Sequence, residues 1–138
     1  MRSRPPLLSA ALILATIVAG ITLRRVPLGL PPVMVKYGGS VLWALMIYWI
    51  VSTVRPMWRL RAIAAAGAVT TVIELFKLYH APALDAFRLT LPGALLLGRI
   101  FSVWDLVAYW LAIVAGASAD WAFRSGRDRP KSAGTPEI

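Results

Sequence analysis

The sequence predicts an all-α, polytopic transmembrane helical bundle of about four spans, with one short interfacial or re-entrant segment. Three observations carry that prediction. Apolar residues fill 59% of 138 positions and charged residues only 15%, against about 45–50% and ~25% in a soluble domain. Mean hydropathy is +0.70. The apolar residues also fall in long uncharged runs, with Arg and Lys set between them. Spans of ~20 residues each would absorb most of that apolar content in four crossings. The same composition excludes a disordered chain and a disulfide scaffold, and it leaves no nucleic-acid partner to expect.

The first span is expected at 7–23, bracketed by Arg2 and Arg4 before it and Arg24 and Arg25 after it. A signal peptide begins in the same way. Here the apolar core is longer than such a peptide needs, and no small-x-small cleavage site precedes a polar region. A retained helix is therefore expected. Pro27, Pro31 and Pro32 break the chain into a connecting loop over Val26–Lys36. Gly38-Gly39-Ser40 then opens a second span at 41–54, with Ser40 as a natural N-cap and Arg55-Pro56 closing it. Trp58, Arg59 and Arg61 mark an interface before the third span, 60–78. The fourth is expected at 104–123.

Between the third and fourth spans, the uncharged stretch 89–98 is ten residues long and contains Pro92 and Gly93. It is too short to cross a bilayer and fits an interfacial or re-entrant segment. The end of the chain, 124–138, reads as a disordered basic cytoplasmic tail.

The net charge of +9 follows topology more than it signals a partner. Residues 1–73 hold eight basic residues and no acid. A four-span arrangement puts nine basic residues on one side, including Arg2, Arg4, Arg55, Arg59, Arg61 and Arg124, and six on the other. The positive-inside rule then places both termini in the cytoplasm.

That arrangement collects the unusual polar residues at the outer boundary: Lys36, Ser40, Glu74, Lys77, His80, Asp85, Arg88, Arg99 and Asp105. Glu74 is the deepest acid, and carboxylates inside a membrane have a partner or a function. An ion pair with Lys77 or Arg88 is one reading of it; a proton or ligand site is the other. Asp105 follows Ser102 in an S-x-x-D arrangement, so it reads either as a helix cap or as a ligand group. Tyr109 lies one turn deeper on the same face. Ala108, Ala112, Ala115, Gly116 and Ala119 offer a small-residue packing face. Gly38-Gly39-Ser40, placed at a helix N-terminus, would offer free amides to an anion. His80 reads as an interfacial polar residue.

With no Cys and one His, a metal site lacks ligands. No cofactor motif and no complete catalytic motif is present.

Three blocks give the chain a family resemblance: K-Y-G-G-S-V-L at Lys36–Leu42, I-E-L-F-K at Ile73–Lys77, and G-R-I-F-S-V-W-D-L-V-A-Y at Gly98–Tyr109. In order and spacing, over roughly Pro27 to Ala115, the chain resembles a family of small bacterial membrane proteins known as domain of unknown function 2809. It is also distantly similar to VanZ-like membrane proteins. The family pattern runs Y-x-G-D-x-L, then I-E-L-x-Q, then G-x-x-F-x-x-x-D-L-x-x-Y. Ser40 stands where that pattern has Asp, and Lys77 where it has Gln. The resemblance implies residence in a bacterial inner membrane and draws attention to Glu74 and Asp105. It implies no activity.

The function expected from these residues is binding of an anionic lipid headgroup, or another anion, at the outer polar cluster. Its members would be Lys36, Ser40, Glu74, Lys77, Arg88, Arg99, Asp105 and Tyr109. The partners expected are the bilayer, an anionic lipid, and further copies of the chain. A small oligomeric proton-coupled transporter using Glu74 is the alternative. A lipid-modifying enzyme with Glu74 and Asp105 as acid and base ranks last, for want of a nucleophile.

Overall fold

The computed structural model describes residues 4–55 and 59–127. Every regular element among them is helical: α1 (Pro6–Arg25), α2 (Pro32–Val54), α3 (Arg59–Phe76), α4 (Pro82–Leu89), α5 (Leu91–Leu96) and α6 (Val103–Arg127). Three of the six, α1, α2 and α6, are long and apolar enough to cross a membrane. α3 is the fourth long helix, but Arg59, Arg61 and Glu74 all fall within its 18 residues, so it has no comparably uncharged stretch. The expected bundle of about four spans is therefore three clearly apolar helices and one charged companion.

α2 is central, packing against α1, α3 and α6, while α3 also packs on α6 and α1 touches only α2 among the helices. The shared core is Ala44, Tyr48 and Trp49 of α2, Ala62 and Ala66 of α3, and Tyr109, Ala112, Ile113 and Ala117 of α6. Small residues set the spacing, as in membrane bundles, where close backbone approach replaces a hydrophobic driving force. At Gly67 a Cβ would run into the ring of Trp110, so only glycine lets that indole lie against α3. At Gly116 a Cβ would come within 2.8 Å of Leu45. The packing face of α6 is thus Ala112, Ile113, Gly116 and Ala117. Ala115 and Ala119, expected on it, are exposed.

Two boundaries differ from the sequence expectation for identifiable reasons. α2 starts at Pro32, not at 41, because Pro31 caps it and Pro32 sits in its first turn, where proline's fixed φ suits a helix. The Gly-Gly pair consequently lies inside α2 and opens no helix. There it admits α1: a Cβ at Gly38 would meet Leu23 at 2.9 Å, and one at Gly39 would meet the Arg24 guanidinium at 3.0 Å. At the other end, α6 continues past 123 to Arg127, held by Arg124 reaching back to Asp120 at i+4. The remainder of the expected tail, from 128, and Trp58 lie outside the described residues.

The stretch containing 89–98 folds as two short helices, α4 and α5. Thr90 caps α5 by accepting from the Gly93 amide at 3.2 Å.

Candidate functional site

Glu74, near the end of α3, is fully buried. A carboxylate there needs every acceptor position satisfied, because a buried charge without partners costs several kcal/mol. One oxygen, Oε2, receives the Lys77 ammonium at 2.5 Å and the Tyr109 hydroxyl at 2.8 Å. The other, Oε1, receives the backbone N–H of Ser102 at 2.8 Å. The Lys77 ammonium also lies 3.4 Å from the Tyr109 oxygen. One side chain therefore ties α3 to the loop before α6 and to the second turn of α6.

Lys77 reaches this position past Gly98. Gly98 has φ +67°, and a Cβ there would come within 2.7 Å of Lys77 Cε. The position needs glycine both for its left-handed backbone and for the lysine stem beside it.

One turn above Tyr109, Asp105 is buried and accepts from Ser40 Oγ at 3.1 Å. The same hydroxyl lies 3.2 Å from the Lys36 carbonyl, so it joins α2 to α6. Two expectations change at this point. Ser40 is not an N-cap, since it lies in the third turn of α2. Nor does Asp105 close a capping box on Ser102, because the Ser102 amide is already held by Glu74. Tyr109 packs its ring against Trp43 at 5.3 Å, completing a polar seam along α2, α3 and α6. No hydrogen bond among the described residues joins Glu74 and Asp105 directly.

Arg88 and Arg99 stand apart from this seam. Arg88 is buried, and its guanidinium donates to the Phe76 carbonyl at 2.7 Å, to Tyr79 at 2.9 Å and to Asp85 at 3.0 Å. It thus caps the unsatisfied end of α3, where a cation is favoured by the helix dipole. Arg99 donates to the Arg88 and Leu89 carbonyls at the end of α4. Lys36 is exposed and lies over the Tyr37 ring. His80 and Asp85 face each other at 3.2 Å on the surface. Of the eight candidate residues, five are buried along the seam in two hydrogen-bonded groups, Glu74–Lys77–Tyr109 and Ser40–Asp105, and three lie outside it (Lys36, Arg88, Arg99).

A second buried cluster lies at the opposite end of the bundle. Asp120 receives Arg124 at 2.8 Å, Arg4 at 3.1 Å and the Tyr48 hydroxyl at 3.3 Å. Arg4 also reaches Ser52 and covers the Trp49 ring. Burial pulls the Arg4 guanidinium below its ordinary pKa, and Asp120 opposes that shift. The signal for this cluster was present in the sequence. Asp120 follows Asp105 by fifteen residues, about 60° around the helix at ~100° per residue, and carries Arg124 one turn on.

Between α1, α2 and α5 lies an apolar cavity of about 310 Å³, lined by residues including Gly20, Arg24, Gly39, Trp43, Met46 and Leu95. Arg24, in the last turn of α1, is its charged member and takes part in none of the ion pairs among the described residues. The cavity and the polar seam share a wall. Gly39 and Trp43 line the one, while the neighbouring Ser40 and the Trp43–Tyr109 contact belong to the other.

Neither a curated protein nor a solved structure matches this chain. A family model does, the one described as Protein of unknown function (DUF2809). It aligns with residues 29–121, from the α1–α2 connection through most of α6, and the chain belongs to that family.

Proposed function

We propose that this chain is an integral protein of the bacterial cytoplasmic membrane, with both termini cytoplasmic, that binds an anionic lipid headgroup at the Arg24 end of the bundle. The observation carrying this reading is Arg24 itself. It is a guanidinium outside every ion pair among the described residues, at an apolar cavity and beside Gly39. Arg88 and Arg99 are committed to helix-end carbonyls, and Lys77 to Glu74. Arg24 is therefore the cation best suited to a ligand, with exposed Arg25 and Lys36 nearby in sequence. Guanidinium is a strong partner for phosphate and carboxylate oxygens.

Proton exchange at Glu74 finds less support. Both of its oxygens are hydrogen-bonded, and the side chain has no accessible surface. Acid–base catalysis by Glu74 with Asp105 finds less support too, since both carboxylates are buried and held by protein partners.

The test is native mass spectrometry of the protein released from nanodiscs of equal phosphatidylglycerol and phosphatidylcholine. Severalfold enrichment of phosphatidylglycerol is expected, falling to parity in Arg24→Gln. Parity in the wild-type protein contradicts the reading.

A further inference from the structure

Resting on that headgroup reading, we infer that the lipid is held by one acyl chain lodged in the α1–α2–α5 cavity, and that Gly20 sets the room for that chain. Arg24 and Thr16 mark the extent of the cavity along α1. Eight residues at ~1.5 Å each make it about 12 Å long. One leaflet's share of a ~30 Å hydrocarbon core is about 15 Å. The cavity is thus a slot of roughly one leaflet's depth with its cation at one end, matching a lipid whose head sits at the boundary.

Its volume of about 310 Å³ holds roughly ten groups the size of a water molecule, at ~30 Å³ each. That is room for most of one chain and not for two. Charge complementarity selects the occupant: a single arginine beside an otherwise apolar wall suits an anionic glycerophospholipid.

Gly20 is the residue that keeps the slot open. It lines the cavity, and a Cβ built on it meets nothing within 4 Å. A larger side chain there would fill the slot without displacing a neighbour. Gly38 and Gly39, by contrast, are glycines because α1 presses on them.

The experiment uses full-length protein in nanodiscs containing phosphatidylglycerol with a diazirine at mid-chain, and in parallel phosphatidylcholine with the same label. Cross-linked peptides are mapped by mass spectrometry. Labelling from phosphatidylglycerol should concentrate at Ile17, Met46 and Leu95, and fall at least tenfold in Gly20→Leu. The Gly20→Leu thermal midpoint should stay within a few degrees of wild type, and Gly20→Ala should fall between the two in labelling.

Labelling spread equally over the exposed apolar face of α6, at Leu111 and Val114, overturns the slot while leaving the headgroup reading standing. Equal labelling of the slot by phosphatidylcholine overturns the headgroup reading while leaving the slot. A dimer in the wild type that becomes monomeric in Gly20→Leu would show that a second copy covers the cavity, and would also overturn the proposal.

Discussion

Glu74 concentrates the chemistry of this chain, and its geometry makes it a tie between elements. Removing one member of a buried pair leaves the other uncompensated, typically costing about 3–5 kcal/mol. Glu74→Ala should therefore lower stability by about that amount in detergent unfolding followed by tryptophan fluorescence. Glu74→Ala combined with Lys77→Met should recover part of the loss, because no lone ammonium then remains. Tyr109→Phe removes one hydrogen bond to a charged group and should cost about 1.5–3 kcal/mol. A double variant no more stable than Glu74→Ala would argue against the pair.

At this scale the sequence was partly legible. The i,i+3 spacing of Glu74 and Lys77 forecast their pairing, and the position of Tyr109 one turn beyond Asp105 forecast a shared face. The partner of Arg88 was not legible. Backbone carbonyls leave no signature in a side-chain pattern, and Arg88 is satisfied by the carbonyls of Phe76 and Tyr79 as well as by Asp85. The two departures from the family pattern, Ser40 and Lys77, both fall along the buried seam. Against that pattern they take away one carboxylate and add one ammonium.

Among the elements, helix contacts depend on glycines whose roles differ by position. Gly67→Ala should force Trp110 off α3 and cost about 1–3 kcal/mol, the usual scale for overpacking. Gly126→Ala, where a Cβ meets nothing, should change stability by less than about 1 kcal/mol. Thermal unfolding of the two variants side by side separates them, and equal effects would contradict the packing. The long apolar runs announced α1, α2 and α6 clearly, since composition alone sets a span. The start of α2 was misplaced because Gly-Gly resembles a helix opening. Its actual role, admitting α1, depends on a tertiary contact that local sequence does not encode. In the second polar cluster the pairing of Asp120 with Arg124 is local, but Arg4 precedes α1 and meets Asp120 only once α1, α2 and α6 have packed.

For the whole molecule, the proposed topology counts α3 as a crossing beside the three helices apolar enough to span; it puts both termini on one side, cytoplasmic by the excess of arginine around Arg4, Arg59 and Arg124. Reporter fusions after Ile138 and within the 26–31 connection should give opposite locations, the first cytoplasmic. Matching locations would break the four-helix crossing. On that proposal the polar seam and the cavity lie toward the outer end together, and it gives them separate duties: the seam fastens helices and the cavity receives the ligand. The measurement that separates those duties is the lipid retained by Arg24→Gln and by folded Glu74→Gln in the same mixed nanodiscs. Arg24→Gln should lose the preference for phosphatidylglycerol, while Glu74→Gln keeps it despite lower stability. Loss of the preference in Glu74→Gln with retention in Arg24→Gln would place the ligand at the seam, contradicting a cavity site.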